Sequence, residues 1–130
     1  MPERPMPKIP RTAMRSWAAR HLKVEQNNLC PLCGQFIDLR IKGEGVIDHD
    51  HKSGEVRGVL HRSCNAAEGK ISNAAARWGA KQSSPEAVAA YLERVVLYLR
   101  KPGAGVVYLG GSTGTANLLN PPVSMVTAPL

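Results

Sequence analysis

The sequence predicts a small α+β domain stapled by zinc, in which helices flank a short β-rich centre. Three observations predict it. Two short knuckles, Cys30-Pro-Leu-Cys33 and His61-Arg-Ser-Cys64, repeat one metal-ligand spacing. The runs FIDLRI, VIDHDH and VRGVL between them lean towards β structure and are separated by glycine-containing turns. Outside the knuckles, apolar residues recur at helical spacing. At 130 residues the chain suits one small domain with a tail, whose core is marginal unless stapled or shared with a second subunit.

Taken in order, residues 1–10 contain Pro2, Pro5, Pro7 and Pro10 together with Arg4 and Lys8, which predicts an extended, flexible basic arm. From Arg11 to about Asn27, Met14, Trp17, Ala18 and Leu22 fall on one helical stripe, with Arg15, Arg20 and Lys23 mostly opposite. This is an amphipathic helix with a basic face, a surface that suits solvent or DNA equally. Asn27 and Asn28 end it. The centre reads as a hairpin-rich region turning at Gly43 to Gly45 and again at Ser53-Gly54. A further helix is expected from about Asn65 through Trp78, weakened slightly by Gly69.

Ser83-Ser84-Pro85-Glu86 carries the signals of a helix start: a serine cap, proline at the first helical position and an acid in the first turn. That helix extends to Lys101. Its residues Val88, Tyr91, Leu92, Val95, Val96, Tyr98 and Leu99 cover more than one stripe, so residues 84–101 are expected to serve either as the main core helix or as a dimerisation surface. Residues 102–130 hold no charged side chain and form an uncharged tail, with VVYL as a short β-leaning patch. The organisation expected is therefore an arm (1–10), a domain (11–101, with its chemistry in 30–70) and a tail (102–130).

A net charge of +7 and a pI near 9.7 favour a polyanionic partner. Nucleic acid leads, with an anionic membrane surface as the alternative. No run of apolar residues reaches the roughly 20 needed to span a bilayer, and MPERPMPKIPR lacks the apolar core of a signal peptide. A soluble cytoplasmic protein is expected.

Three cysteines cannot all pair within one chain. Cys30, Cys33, His61 and Cys64 supply three thiolates and one imidazole, a set tetrahedral zinc accepts, and this uses every cysteine. A redox thiol pair is the alternative for a lone CxxC, but it leaves the second knuckle unexplained. With all four positions filled, the zinc is structural and leaves no coordination place for water.

Between the knuckles lies Asp48-His49-Asp50-His51, and Asn65 directly follows the last zinc ligand. Carboxylate oxygens suit a hard divalent cation, and a neutral imidazole can accept a proton near physiological pH. Together they meet the needs of phosphodiester hydrolysis. A solvated turn and a second zinc site built on His49 and His51 are the alternatives, and the residues alone do not choose between the two histidines. A regular strand also sends Asp48 and His49 to opposite faces, so a distortion at the strand end is required.

The runs CPLCG, IDHDH and VRGVLHRSCNAAEG resemble the phage recombination endonuclease VII family, a branch of the HNH or ββα-metal nucleases, over roughly Leu29 to Lys101. One position departs from the pattern: His61 stands where the family usually has cysteine. The resemblance implies a ββα-metal core in an intertwined homodimer that cuts branched DNA, four-way (Holliday) junctions included, by paired nicks. It implies Asp48 and Asn65 as ligands of a catalytic magnesium, with manganese as a substitute, His49 as the general base, and supporting roles for His51 and Glu68. Arg57, Arg62, Lys70, Arg77 and Lys81 are expected to bind DNA phosphates without reading sequence. Two alternatives remain: an HNH enzyme that nicks duplex DNA or cuts at particular sequences, and a non-catalytic zinc module that binds nucleic acid.

Overall fold

The computed structural model describes residues 3–109. The chain divides into two compact units, Met1–Arg94 and Val95–Leu130. The first contains helix α1 (Met14–Glu25), strands β1 (Gly45–His49) and β2 (Val56–His61), helix α2 (Arg62–Ala74) with a π-helical continuation over Ala75–Ala80, and the greater part of helix α3 (Pro85–Arg100). The expected α+β class and the order of helix, hairpin, helix, helix are both present.

A 3-10 turn over Arg11–Ala13 leads into α1. Ala18 and Leu22 are buried, Trp17 packs beside them, and Arg15, Arg20 and Lys23 are exposed, as the amphipathic pattern predicts. Asn27 and Asn28 end the helix with φ of 53° and 62°, the left-handed region that asparagine tolerates better than most residues. The Asn28 amide reaches back to the Leu22 carbonyl at 2.8 Å.

The FIDLRI run departs from its β-leaning reading. Only Phe36 pairs, in an isolated bridge to Leu29. Beyond it the chain turns twice, with Ile41 N–H donating to the Asp38 carbonyl and Glu44 N–H to that of Ile41. The Asp38 amide donates to the Glu44 carboxylate at 2.9 Å rather than to a strand. Local side-chain bonds have won over β propensity. The segment still contributes to the core, because Ile37 is fully buried and Leu39 packs against it. Their closeness explains Gly45, where a Cβ would lie 2.5 Å from Leu39 Cδ2 and 3.1 Å from Ile37 Cγ2.

Strands β1 and β2 form one antiparallel hairpin with Gly45 opposite His61 and Asp48 opposite Gly58. Asp50 closes its turn: one carboxylate oxygen accepts from the Lys52 and Ser53 amides, each at 2.8 Å, and Gly54 takes a φ of 76°. Gly58, Val59 and Leu60 are buried consecutively. A strand does this only when both faces are covered; α1 packs on β2, and α2 packs on both strands.

Helix α2 begins at Arg62, earlier than the expected Asn65, because the chain passes directly from strand to helix at His61, with φ −58° and ψ 143°. The Ser84 signal is borne out: its hydroxyl accepts from the Ala87 amide at 3.2 Å, and Pro85 opens α3. The core comprises Ala18, Leu22, Cys30, Ile37, Val59 and Leu60, with Cys64 packed against it, so one expected zinc ligand is a core residue and a second borders the core.

In the second unit, Leu97, Tyr98 and Leu99 at the end of α3 are exposed, as are Val106, Val107 and Leu109. Residues 106–109 form no strand, and the rest of the expected tail lies outside the described residues. Among the described residues, no helix is long and apolar enough to cross a membrane.

Candidate metal centre and active site

The first knuckle is a tight loop. Cys30 N–H donates to the Gln35 carbonyl and Gly34 N–H to that of Cys30, with Gly34 at φ 74°, a conformation glycine adopts without strain. Beyond the loop, the Leu29 to Phe36 bridge closes its base. The second knuckle spans the junction of β2 and α2, so its ligands sit on a strand end and on the first turn of a helix. The ligand atoms of Cys30, Cys33, His61 and Cys64 all lie within 4.8 Å of one another. A tetrahedral zinc, with bonds of about 2.0 to 2.3 Å, holds its ligand atoms below about 4 Å apart. The cluster can therefore close on zinc with little movement.

His61 Nδ1 faces Cys33 Sγ at 3.2 Å, and its Nε2 lies 3.0 Å from the Phe36 carbonyl. Nε2–H donating to that carbonyl leaves Nδ1 free as the ligand atom, the arrangement by which an outer partner orients a metal-bound imidazole. Glu44 Oε1 stands 4.0 Å from the same Nε2. Burial pushes the Cys30 thiol up, but hydrogen bonds from the backbone of Cys33, His61 and Leu32 and from the His61 side chain outweigh it and bring the thiol down to about 6. Burial, reinforced by the neighbouring Cys33 and Cys30 sulfurs, pushes Cys64 up to about 11. Without a metal, the cluster thus ionises Cys30 and resists ionising Cys64. A bound cation removes that conflict.

The four residues of DHDH separate into different environments. Asp48 is buried in β1. His49 is exposed at the strand end, and the strand register shifts between the two residues, His49 pairing with Val56. The strand end is thus irregular between these two residues. Asp50 is spent on the turn, where the amides of Ser53 and Lys52 hold its carboxyl below the usual range. His51 is exposed in that turn, its ring 5.3 Å from that of His49. Among the described residues, the only group of three or more His, Cys, Asp or Glu poised to share a metal ion is the Cys3His cluster, so His49 and His51 are not gathered into a second one.

Asn65 is half-buried on the first turn of α2, directly after Cys64. Glu68 lies one turn further and accepts from Ser72 at 2.7 Å. Arg57, one of the residues expected to meet DNA, grips Asp48 with two hydrogen bonds of 2.8 and 3.0 Å. Sequence reasoning missed this contact. Alternation alone would send the two to opposite faces, because Asp48 faces Gly58; Arg57 is the extra residue at the register shift, where His49 already pairs with Val56. Arg62, Lys70, Arg77 and Lys81 are exposed on α2 and its continuation, with the Arg77 guanidinium 4.8 Å over the Trp78 ring and Lys81 in a left-handed conformation that ends the helix.

Gln26 was also missed. Its side-chain amide donates to the Val59 carbonyl and its oxygen accepts from the Val59 amide, each at 2.8 Å. A family model described as recombination endonuclease VII matches residues 8–101, a span containing both knuckles, the hairpin and all three helices.

Proposed function

The chain belongs to the recombination endonuclease VII family, and from that premise we propose that it is a magnesium-dependent, structure-selective DNA endonuclease that cuts branched DNA, such as four-way junctions, by paired nicks. Action on DNA as an endonuclease follows from the family. The finer reading is carried by one observation: the Cys3His cluster ties the helix bearing Asn65 to the hairpin bearing Asp48, in the strand–strand–helix order of a ββα-metal site.

Asp48 and Asn65 would hold the cation. Their oxygens suit magnesium, and the buried Asp48 carboxylate already carries a guanidinium, so the position accepts positive charge. When bound, magnesium polarises the scissile phosphate and stabilises the leaving oxygen. His49, exposed at the distorted end of β1, takes the proton of the attacking water through a ring nitrogen. His51 and Glu68 support it, one beside the His49 ring and the other across Arg57. Cys30, Cys33, His61 and Cys64 would hold a structural zinc that keeps the frame rigid. Exposed Arg62, Lys70, Arg77 and Lys81 supply phosphate contacts. A homodimer would place one such site on each strand, and the exposed apolar residues Leu97, Tyr98 and Leu99 support that assembly.

The test is cleavage of a four-way junction beside linear duplex of the same sequence, with and without magnesium, by the wild-type chain and by His49→Ala and Asn65→Asp. Paired nicks in the junction alone, lost in His49→Ala at unchanged zinc content, are expected. Equal cleavage of the duplex points to an HNH nicking or site-specific enzyme. Binding without cleavage under any metal points to a non-catalytic zinc module.

A further inference from the structure

Asp48 already holds a cation in this structure, and that cation is the Arg57 side chain. Arg57 Nε lies 2.8 Å from Asp48 Oδ2 and Nη2 lies 3.0 Å from Oδ1, so both carboxylate oxygens are used in a fork-like pair. Nη2 also lies 3.5 Å from Glu68 Oε2, which places the guanidinium between the two acids of the site. The carboxylate is buried, with 11% of the Asp48 side chain exposed, whereas 43% of the Arg57 side chain is. Arg57 is thus anchored at its inner edge and open at its outer one.

The open side faces a cleft of about 520 Å³ between α2 and the start of α3, lined also by His51, Lys52, Ser72 and Asn73. The cleft is polar at this end, where the cations Arg57 and Lys52 stand with the acids Asp50 and Glu68, and is roomy enough for a nucleotide-sized group. A divalent ion on the same two oxygens would stand at contact distance from the guanidinium, and like charges at that distance repel. Loading the carboxylate therefore weakens its hold on the arginine, and a phosphate in the adjoining cleft is the group its fork fits best.

The geometry points to Arg57 as a two-position residue that neutralises Asp48 in the metal-free protein and transfers to a DNA phosphate in the adjoining cleft when a divalent cation takes over the carboxylate. Metal and DNA then promote each other's binding by the same factor, since coupling between two sites is reciprocal. The inference rests on the reading of Asp48 as a metal ligand.

The experiment is calorimetric titration of Mn2+ into the zinc-loaded full chain without DNA, for wild type, Asp48→Asn, Arg57→Lys and Arg57→Gln. It is repeated in the His49→Ala protein, with and without Arg57→Gln, in the presence of a four-way DNA junction. Wild type is expected to bind Mn2+ in an Asp48-dependent manner, and both Arg57 variants to bind it at least about threefold more tightly. Lysine keeps the charge but not the fork, so a purely electrostatic role leaves Arg57→Lys at the wild-type value. The junction is expected to tighten Mn2+ binding by about fivefold or more, within the usual range of coupling, and to lose that effect with Arg57→Gln. Asp48-dependent binding that is identical in wild type and Arg57→Lys, with coupling intact in Arg57→Gln, overturns the transfer and leaves the metal reading standing. Mn2+ binding indifferent to Asp48→Asn overturns both. Should a variant fail to fold, the Arg57 Nε–Hε resonance of the wild-type protein decides: it is expected to shift when Mg2+ is added, and an unmoved resonance at saturating Mg2+ overturns the proposal.

Discussion

Gln26 and Val59 are joined as two strands would be. The Gln26 side chain gives and receives a hydrogen bond with the Val59 backbone at 2.8 Å on each side, and its Nε2 donates a third bond to the Leu29 carbonyl at 3.0 Å. One amide thus covers an edge of β2, satisfies buried backbone groups and fixes the end of α1 beside the first knuckle. Gln26→Ala strands the Val59 N–H and C=O, each a loss of about 1 to 3 kcal/mol. A destabilisation of about 2 to 3 kcal/mol is expected in urea unfolding of the zinc-loaded protein. A loss below 0.5 kcal/mol, within the range of ordinary surface substitutions, would show that water replaces the amide at no cost.

Zinc affinity should rise with pH. At pH 7 the Cys30 thiol, brought down to about 6, is ionised, whereas that of Cys64, pushed up to about 11, retains its proton. Binding zinc expels that proton, and each proton released strengthens apparent affinity roughly tenfold per pH unit. Below about pH 6, Cys30 also regains its proton, so affinity falls more steeply there. Competition with a chromophoric chelator from pH 5.5 to 8 measures the slope, and a flat profile contradicts the assignment.

Two glycines that look alike in the sequence should respond in opposite ways. A Cβ on Gly69 in α2 meets nothing within 4 Å, so Gly69→Ala is expected to stabilise the helix by about 0.5 to 1 kcal/mol. A Cβ on Gly79 would run into the Tyr91 ring, so Gly79→Ala is expected to cost about 1 to 3 kcal/mol through overpacking, recovered in part by Tyr91→Leu. Thermal melts of the single and double variants test both, and equal behaviour of the two glycines would contradict the packing.

Ser84→Ala removes the acceptor of the Ala87 amide at the start of α3. Loss of such a cap costs about 1 kcal/mol. Hydrogen exchange of the Ala87 amide should accelerate well before that of the buried Val59 amide, and parallel acceleration of the two would place α3 in the same cooperative unit as the hairpin.

By itself, the sequence determined the parts whose information is local. Spacing marked Cys30, Cys33, His61 and Cys64 as one set; periodicity marked the buried stripe of α1; and Ser84-Pro85 marked the start of α3. Each depends on residues a few positions apart, where side-chain chemistry and backbone geometry are fixed together. The family resemblance, carried by the knuckles and DHDH, was legible for the same reason.

Only the tertiary structure decided what depends on residues distant in the chain. It turned FIDLRI into turns, because Glu44 takes the Asp38 amide that a strand would need. It sorted DHDH into a buried acid, two exposed histidines and an acid held in the turn, with a register shift between Asp48 and His49. It also set Arg57 on Asp48 instead of leaving it free for solvent. A buried carboxylate must find a cation, and which cation it finds follows from strand register, a property of the folded hairpin that composition and spacing do not contain.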